Sequence, residues 1–361
     1  MADWSAELEA RQSHVRAILA EEGCDAGLVF GCDRHHQSFR YLTNFAPLLG
    51  DAWLLLAAEP VCIMTFQWQI IEARERSGID RWEAAFNPLP LVLAAVRESG
   101  ARRLGLVGIE RMPVTMHAAL AALPGVELVD VGSLVVRLRR RKSPFEVEAL
   151  RRSARLTDAM LDAARAELAV GMTETELAAR ITTVALAAGA DCAFETCVVS
   201  GVDHPVPIRR PTDRRIADGD SVMVDVGADL DGYQADATRT FVVGEPNATQ
   251  RTVWDVILRA HERALEMCGP GVPCRDIHLA AARVIADAGY ELTHRIGHGI
   301  GLATSYEWPA MDSERAPLEP GTTICIEPGI YIPGAGNMKL EDDLLITNSG
   351  YELLTHSDRS L

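Results

Sequence analysis

The sequence predicts a two-domain protein in which an α/β domain is followed by an α+β domain. The chain has 361 residues, enough for about two domains of roughly 150 residues each. In the first part, short apolar runs alternate with stretches of helical periodicity, the order typical of α/β domains. In the second part, helices accompany pairs of strands joined by turn sequences. We place the domains at 1–140 and 141–361.

The first domain is predicted from its apolar spacing. Residues 4–22 carry apolar side chains at helical intervals. Helical stretches are expected near 67–76, 90–99 and 113–122. Strand-like apolar runs lie before, between and after them, at 26–30, 53–58, 61–66, 104–107 and 126–131. This alternation predicts helices packed on a sheet.

Helix-start signals mark the beginning of the second domain. Ser143 can cap a helix, Pro144 suits its first position, and Glu146 can reach back to the cap nitrogen. We expect this helix to reach about Leu168. A similar signal at Thr173 begins a helix to about 188. Further along, strands are expected from 196 to 243 and helices at 248–268 and 274–288, followed by strands near 292–297, 322–332 and 338–348.

Composition excludes several classes of protein. The formal net charge is -16, unsuited to nucleic-acid binding, which requires a basic surface. No apolar run approaches the length of a membrane span, and no secretory signal is recognisable. The 8 cysteines form no CxxC pair and are too sparse for a disulfide scaffold. We therefore expect a cytoplasmic protein with neither nucleic-acid nor membrane partners.

The first chemically informative segment is a predicted hairpin around Asp231 and Gly232, which form a strong two-residue turn signal. This turn pairs Leu230 with Tyr233 and places Asp225 opposite Thr238. Asp225 and Asp236 then lie on one face as diagonal neighbours, roughly 7–8 Å apart at Cα. Gly227, opposite Asp236, would leave room for an ion. An acid in a valine-rich strand requires a counter-charge.

A second hairpin and a glycine-rich loop provide three more candidate ligands. Glu327 and Glu341 are equidistant from residue 334, so they should face each other across a Pro- and Gly-rich connection. His298 lies between two glycines, which let the backbone approach closely. Taken singly, each is more often a structural residue. Together, two Asp, two Glu and one His predict a site for two divalent ions such as Mn²⁺, Co²⁺, Zn²⁺ or Fe²⁺.

At these residues the sequence resembles the pita-bread metallopeptidase family, M24, which includes methionine aminopeptidase, Xaa-Pro aminopeptidase, prolidase and creatinase. The segments around Asp225 and Asp236, His298, Glu327 and Glu341 are similar to its motifs. The resemblance implies a creatinase-type N-terminal domain, a pita-bread C-terminal domain and a dinuclear centre held by those five residues, with Mn²⁺ the first choice of metal. It also implies a homodimer in which subunits can share active sites.

The chain departs from the proline-specific members of this family at the substrate pocket. Ile208 and Ser305 stand where those relatives have histidines, and Lys339 stands where Arg is usual. Neither Ile nor Ser can act as an acid or base near neutral pH. Candidate substrate contacts are therefore His204 as a displaced proton shuttle, Arg209 for a carboxylate, Tyr306 as an apolar wall, Glu307 and Lys339. Solvated or structural roles remain open for each.

These observations predict a metallohydrolase that cleaves an amide bond, resembling an Xaa-Pro dipeptidase. Glu327 is the candidate proton acceptor and His294 the candidate contact to the substrate or leaving group. Two alternatives stay open. One is a relative acting on a small zwitterion, similar to ectoine hydrolase, creatinase or dimethylsulfoniopropionate lyase. The other is a non-catalytic binding protein, which the intact ligand set opposes.

Overall fold

The computed structural model describes residues 4–33, 35–203, 205–304 and 307–361. The chain divides into two compact units, Met1–Arg139 and Arg140–Leu361. The described helices include none that is long and apolar enough to cross a membrane. The 8 cysteines all fall within the described ranges and are unpaired thiols.

The first unit alternates strands with helices, as predicted, and includes a 3₁₀ turn at Gln67–Gln69. Sequence reasoning missed three short elements, Gln37–Thr43, Arg81–Ala84 and Gly132–Leu138. In chain order the elements are α1 (Trp4–Glu21), β1 (Ala26–Cys32), α2 (Gln37–Thr43), β2 (Asp51–Leu56), β3 (Val61–Met64), α3 (Ile70–Ser77), β4 (Arg81–Ala84), α4 (Leu89–Ser99), β5 (Arg103–Val107), α5 (Val114–Ala121), β6 (Glu127–Asp130) and α6 (Gly132–Leu138).

One mixed sheet forms the centre of this unit. Its strand order is β4-β3-β2-β1-β5-β6, with β1 antiparallel to β2 and parallel to β5. Residues on both faces of β1 are buried, which explains its unbroken apolar run. Leu28 and Phe30 of that strand pack in a cluster with Val92 and Val96 of α4.

The second unit contains the remaining helices and strands. They are α7 (Pro144–Glu167), α8 (Glu174–Ala187), β7 (Asp191–Cys192), β8 (Cys197–Ser200), β9 (Ser221–Val226), β10 (Ala228–Leu230), β11 (Tyr233–Gln234), β12 (Ala237–Val242), α9 (Ala248–Met267), α10 (Cys274–Asp287), β13 (His298–Gly299), β14 (Glu307–Ala310), β15 (Thr323–Ile326), β16 (Gly329–Ile332), β17 (Gly336–Lys339), β18 (Asp342–Ile346) and β19 (Tyr351–Leu353).

Helices α7 and α8 begin where their capping residues predict. Ser143 accepts a hydrogen bond from the Glu146 amide, while the Glu146 side chain accepts one from the Ser143 amide. The same reciprocal pair forms between Thr173 and Glu176 at α8. Each reciprocal pair satisfies backbone amides that the first helical turn leaves without partners.

Antiparallel strands carry the candidate site. The strand orders are β12-β9-β8, β11-β10-β7 and β14-β13-β15-β18-β19, and β16 pairs with β17. Helices α9 and α10 pack against the five-stranded sheet through Ile257 and Ile285, which lie in one apolar cluster with Ile324 and Leu344.

The prediction of a strand at 292–297 is wrong. Those residues are irregular, and the strand in this region is confined to His298 and Gly299. The Ile296 carbonyl accepts from the Glu327 amide and the Gly297 carbonyl from the Met311 amide, so the segment bonds to loops rather than to a ladder. Apolar alternation indicates which residues are buried, but it does not indicate whether a partner strand lies beside them.

Candidate metal centre

The first hairpin has the predicted register. Asp231 and Gly232 have φ values of 55° and 86°, the left-handed conformation that a two-residue turn of this type requires. Leu230 pairs with Tyr233, and Asp225 with Thr238. Asp225 and Asp236 are both buried.

The role predicted for Gly227 is wrong. A Cβ there would lie 2.1 Å from the Ala235 carbonyl oxygen and 2.9 Å from the Phe194 ring. The glycine is therefore required by the close approach of the Ala235 backbone and the Phe194 ring, rather than by space for an ion.

The second hairpin brings the two glutamates together. Gly329 pairs with Lys339 in β16–β17, and Ile326 pairs with Asp342 in β15–β18. Both registers are centred on residue 334, so Glu327 and Glu341, which lie between the two ladders, face each other. Pro328 separates β15 from β16, because a proline lacks the amide that would continue the ladder.

His298 is fixed by its two glycine neighbours. A Cβ at Gly297 would lie 2.0 Å from the Cys325 carbonyl oxygen, and one at Gly299 would lie 2.0 Å from the Trp308 carbonyl oxygen. The His298 Nδ1 lies 3.0 Å from the Gly299 carbonyl oxygen, which can only accept. The Nδ1 therefore donates to this carbonyl, and the Nε2 is directed toward the carboxylates of Asp236 and Glu327.

The candidate ligands form two overlapping groups among the described residues. In the first, ligand atoms of Asp225, Asp236 and Glu341 all lie within 4.8 Å of one another. In the second, the same holds for His298, Cys325, Glu327 and Glu341. Glu341 is common to both groups and can bridge them.

Lys339 extends its ammonium group into this cluster. Its Nζ lies 2.8 Å from Asp225 Oδ2, 3.1 Å from Glu327 Oε2 and 2.9 Å from Glu341 Oε2. Desolvation lowers the pKa of Lys339, but the charges of these carboxylates outweigh it and hold the pKa well above its usual value. Lys339, which the sequence analysis predicts to contact the substrate, thus points its ammonium group toward the candidate metal ligands.

The remaining carboxylate oxygens fit divalent metal ions. Asp225 Oδ1 and Glu341 Oε1 are buried without a hydrogen-bond partner, which is costly for an anion. The His298 Nε2 lies 3.6 Å from Asp236 Oδ2 and 3.7 Å from Glu327 Oε1. Those distances exceed a hydrogen bond but suit two ligands that each lie about 2 Å from one ion.

The negative charge of the clustered carboxylates also requires further cations. Burial, followed by the charge of Glu341, raises the pKa of Asp236 well above its usual range. Keeping Asp236 ionised therefore requires positive charge beyond the single ammonium of Lys339. Two divalent ions would supply it, as the sequence predicts.

A surrounding layer of hydrogen bonds orients the ligands. Thr238 Oγ1 donates to Glu341 Oε2 at 2.8 Å, and the Asp236 amide donates to Asp343 Oδ2 at 2.8 Å. The buried Arg239 guanidinium donates to the Glu341 carbonyl and to Asp342 Oδ1, both at 2.6 Å. Such outer contacts fix the orientation of ligand side chains.

His294 lies beside the cluster and contacts a tyrosine that sequence reasoning missed. Its Nδ1 lies 2.8 Å from the Arg295 carbonyl oxygen, so this nitrogen donates. Its Nε2, 2.8 Å from the Tyr331 hydroxyl, then accepts from that hydroxyl in the neutral state. Burial raises the pKa of Tyr331, so the phenol keeps its proton.

Other predicted substrate contacts lie in varied surroundings. Arg209 directs its guanidinium to the fully buried Glu174, with its Nη2 2.6 Å from Glu174 Oε1. Glu307 is buried in β14, and Ile208 is 65% exposed. His204, Ser305 and Tyr306 lie outside the described residues.

Comparisons with known proteins identify the family. The profile of Metallopeptidase family M24 matches residues 148–348, and that of the Creatinase/Prolidase N-terminal domain matches residues 11–141. The chain belongs to metallopeptidase family M24. The fold class predicted from the sequence, a creatinase-type domain followed by a pita-bread domain, is confirmed.

Individual relatives of this M24 protein extend over nearly the whole chain. It is 31% identical over 326 residues to an Xaa-Pro dipeptidase of Pyrococcus horikoshii, covering 89% of this chain and 91% of the relative. A solved prolidase of P. horikoshii OT3 has a TM-score of 0.88 at 29% identity, covering 98% and 99%. A solved X-Pro aminopeptidase of Thermotoga maritima has a TM-score of 0.90 at 26% identity, covering 97% and 98%. The protein is accordingly a metal-dependent hydrolase of amide bonds, as predicted.

Proposed function

We propose that this chain is a dinuclear metallodipeptidase that releases the C-terminal residue from Xaa-Pro dipeptides. The observation that carries the proposal is the convergence of Asp225, Asp236, His298, Glu327 and Glu341 into two ligand groups that share Glu341. The dipeptide substrate is suggested by the likeness to Xaa-Pro dipeptidases of P. horikoshii and P. furiosus.

The protein residues have distinct parts in this reaction. When bound, the metal ions activate a water molecule and polarise the scissile carbonyl. Glu327, whose Oε1 faces His298, accepts the proton of the attacking water. His294 and the Tyr331 hydroxyl form a hydrogen-bonded pair that contacts the substrate beside this carboxylate.

Mn²⁺ is the metal that we propose for the oxygen ligands. Two Asp and two Glu make a donor set rich in hard oxygen atoms, which manganese favours. Co²⁺, Zn²⁺ and Fe²⁺ are the alternatives, since each also accepts the imidazole of His298.

We further propose that the protein is a cytoplasmic homodimer. The 8 unpaired thiols suit a reducing compartment. An exposed apolar surface on the first unit, which we call the aromatic surface, supports self-association. Its exposed members are Leu48, Leu49, Trp68, Ile71 and Phe86, with exposures between 51% and 83%.

Ring contacts connect two exposed members of the aromatic surface through Phe66. The rings of Phe66 and Trp68 stack at 4.5 Å, and Phe86 meets Phe66 edge-on at 5.4 Å. Gln69 accepts from the Leu48 amide and donates to the Leu49 carbonyl, which ties the backbone of these leucines to the segment that carries Trp68.

Proline release from metal-loaded protein tests the proposed activity. The protein, reconstituted with Mn²⁺, is assayed against Xaa-Pro dipeptides, matched Xaa-Ala dipeptides, and creatine-like and ectoine-like compounds. We expect turnover of Xaa-Pro, its loss in Asp236→Asn, and its retention in the matched variant Asp229→Asn, whose side chain accepts from Gln234 in the same hairpin.

A fully metal-loaded protein that releases no proline would overturn the dipeptidase proposal. Turnover of a zwitterion in the same panel would assign the alternative substrate class instead.

A further inference from the structure

A buried thiol lies among the candidate metal ligands and has no part in the proposed reaction. Cys325 belongs to β15, two residues before Glu327, and alternate residues of a strand face the same side. It is fully buried and pairs with Asp343 of the neighbouring strand. Its sulfur lies within 4.8 Å of ligand atoms of His298, Glu327 and Glu341.

The thiol makes the two ligand groups chemically different. The group of Asp225, Asp236 and Glu341 offers oxygen atoms alone, whereas the group that contains Cys325 offers nitrogen, sulfur and oxygen. Oxygen ligands suit hard cations, while thiolate and imidazole ligands select softer ones. One cluster therefore presents two sites of unequal preference.

An independent feature marks this place as a ligand site. Glu341 is fully buried, and its Oε1 has no hydrogen-bond partner although Thr238 donates to its Oε2. An unpartnered carboxylate oxygen in a buried cluster points to a bound cation. The thiol of Cys325 thus lies beside a carboxylate that has one buried oxygen without a hydrogen-bond partner.

We propose that Cys325 coordinates, as a thiolate, the metal ion held by His298, and that this subsite prefers thiophilic cations such as Zn²⁺, Co²⁺ or Cd²⁺ to Mn²⁺. The sulfur–metal bond forms as the S–H bond breaks, and the proton passes to water, without any change of oxidation state. The oxygen-only group then holds the harder ion. This deepens the proposed function, resting on its metal centre but not on its substrate.

Cobalt titration of the metal-free protein tests the proposal directly. Co²⁺ bound by a thiolate has a sulfur-to-cobalt charge-transfer band in the near ultraviolet, and metal analysis with visible ligand-field bands reports occupancy independently. We expect the band in the unaltered protein and its loss in Cys325→Ser and Cys325→Ala. Because a direct ligand is removed, their Co²⁺ affinity should fall at least about tenfold, while Mn²⁺ affinity changes little.

Cys62→Ser is the matched control, since Cys62 is a fully buried thiol in β3 of the first unit. This variant should keep both the band and the affinity. Cobalt binding without the band, persistence of the band in Cys325→Ser, or failure to bind cobalt at all would each overturn the proposal. A band in a protein that releases no proline would overturn only the dipeptidase function, so the two failures are distinguishable.

Discussion

Replacement of Glu174 by glutamine should cost the second unit about 3 kcal/mol of unfolding free energy at pH 7. The carboxylate is fully buried at the start of α8 and accepts from the Arg209 guanidinium, the Ser200 amide and hydroxyl, and the Thr212 amide and hydroxyl. Desolvation raises its pKa, but the hydrogen bonds from Arg209, Thr212 and Ser200 together outweigh this and lower it from 4.5 to about 2.

The magnitude and the pH dependence both follow from that pKa. A tenfold change in proton affinity is worth about 1.4 kcal/mol, so the fall from 4.5 to about 2 corresponds to about 3 kcal/mol. Because the pKa is depressed in the folded state, the stabilisation is complete above about 4.5. It is lost as the pH falls toward 2.

Urea unfolding followed by circular dichroism measures the difference between the original chain and Glu174→Gln. We expect the difference to be largest at pH 7 and to shrink below pH 4.5. Glu195→Gln is the matched control, because Glu195 pairs with Arg210 on the surface, where ion pairs contribute little. A difference at pH 7 no larger than that of the control, or one independent of pH, would refute the reasoning.

The remaining predictions concern stability, assembly and metal binding. Arg239→Met should destabilise the fold by about 3–5 kcal/mol, because Asp342 loses one of its two guanidinium partners and the buried Glu341 carbonyl loses its donor. Urea unfolding measures this against Arg263→Met, which removes an exposed ion pair, and equal effects of the two variants would contradict it. Trp68→Ser with Phe86→Ser should shift dimer toward monomer in sedimentation, and an unchanged mass would speak against the aromatic surface as the interface. Mn²⁺ should raise the melting temperature in proportion to the logarithm of its concentration, since a ligand that binds only the folded state stabilises it, and EDTA should reverse the rise. A melting temperature insensitive to Mn²⁺ would argue against a metal centre.

The hairpins of the metal centre could be predicted because their geometry is encoded locally. A two-residue turn at Asp231 and Gly232 fixes which residues pair across β9 and β12. In the second hairpin, the equal distance of Glu327 and Glu341 from residue 334 has the same effect. A signal for Cys325 was also present, since a residue two positions from Glu327 in a strand shares its face.

Contacts between distant residues could not be read in this way. Arg209 pairs with Glu174, 35 positions away, and nothing near Arg209 in the sequence indicates a buried carboxylate. The irregular course of 292–297 depends on loops that follow much later in the chain, among them the one whose Glu327 amide bonds to Ile296. Local periodicity describes which residues are apolar but does not identify the partner that they meet.

The position of Lys339 explains how a buried ammonium and metal ions can share one cluster. Its Nζ contacts the Oδ2 of Asp225, the Oε2 of Glu327 and the Oε2 of Glu341. The other oxygen of Asp225 and of Glu341 has no partner, and Glu327 Oε1 faces His298. Each carboxylate thus divides its oxygens between the ammonium and the proposed metal positions. A lysine suits this arrangement because its ammonium is a compact point charge with three donors, whereas a planar guanidinium favours bidentate contact with one carboxylate. Lys339 therefore orients the ligands while leaving the coordinating oxygens available.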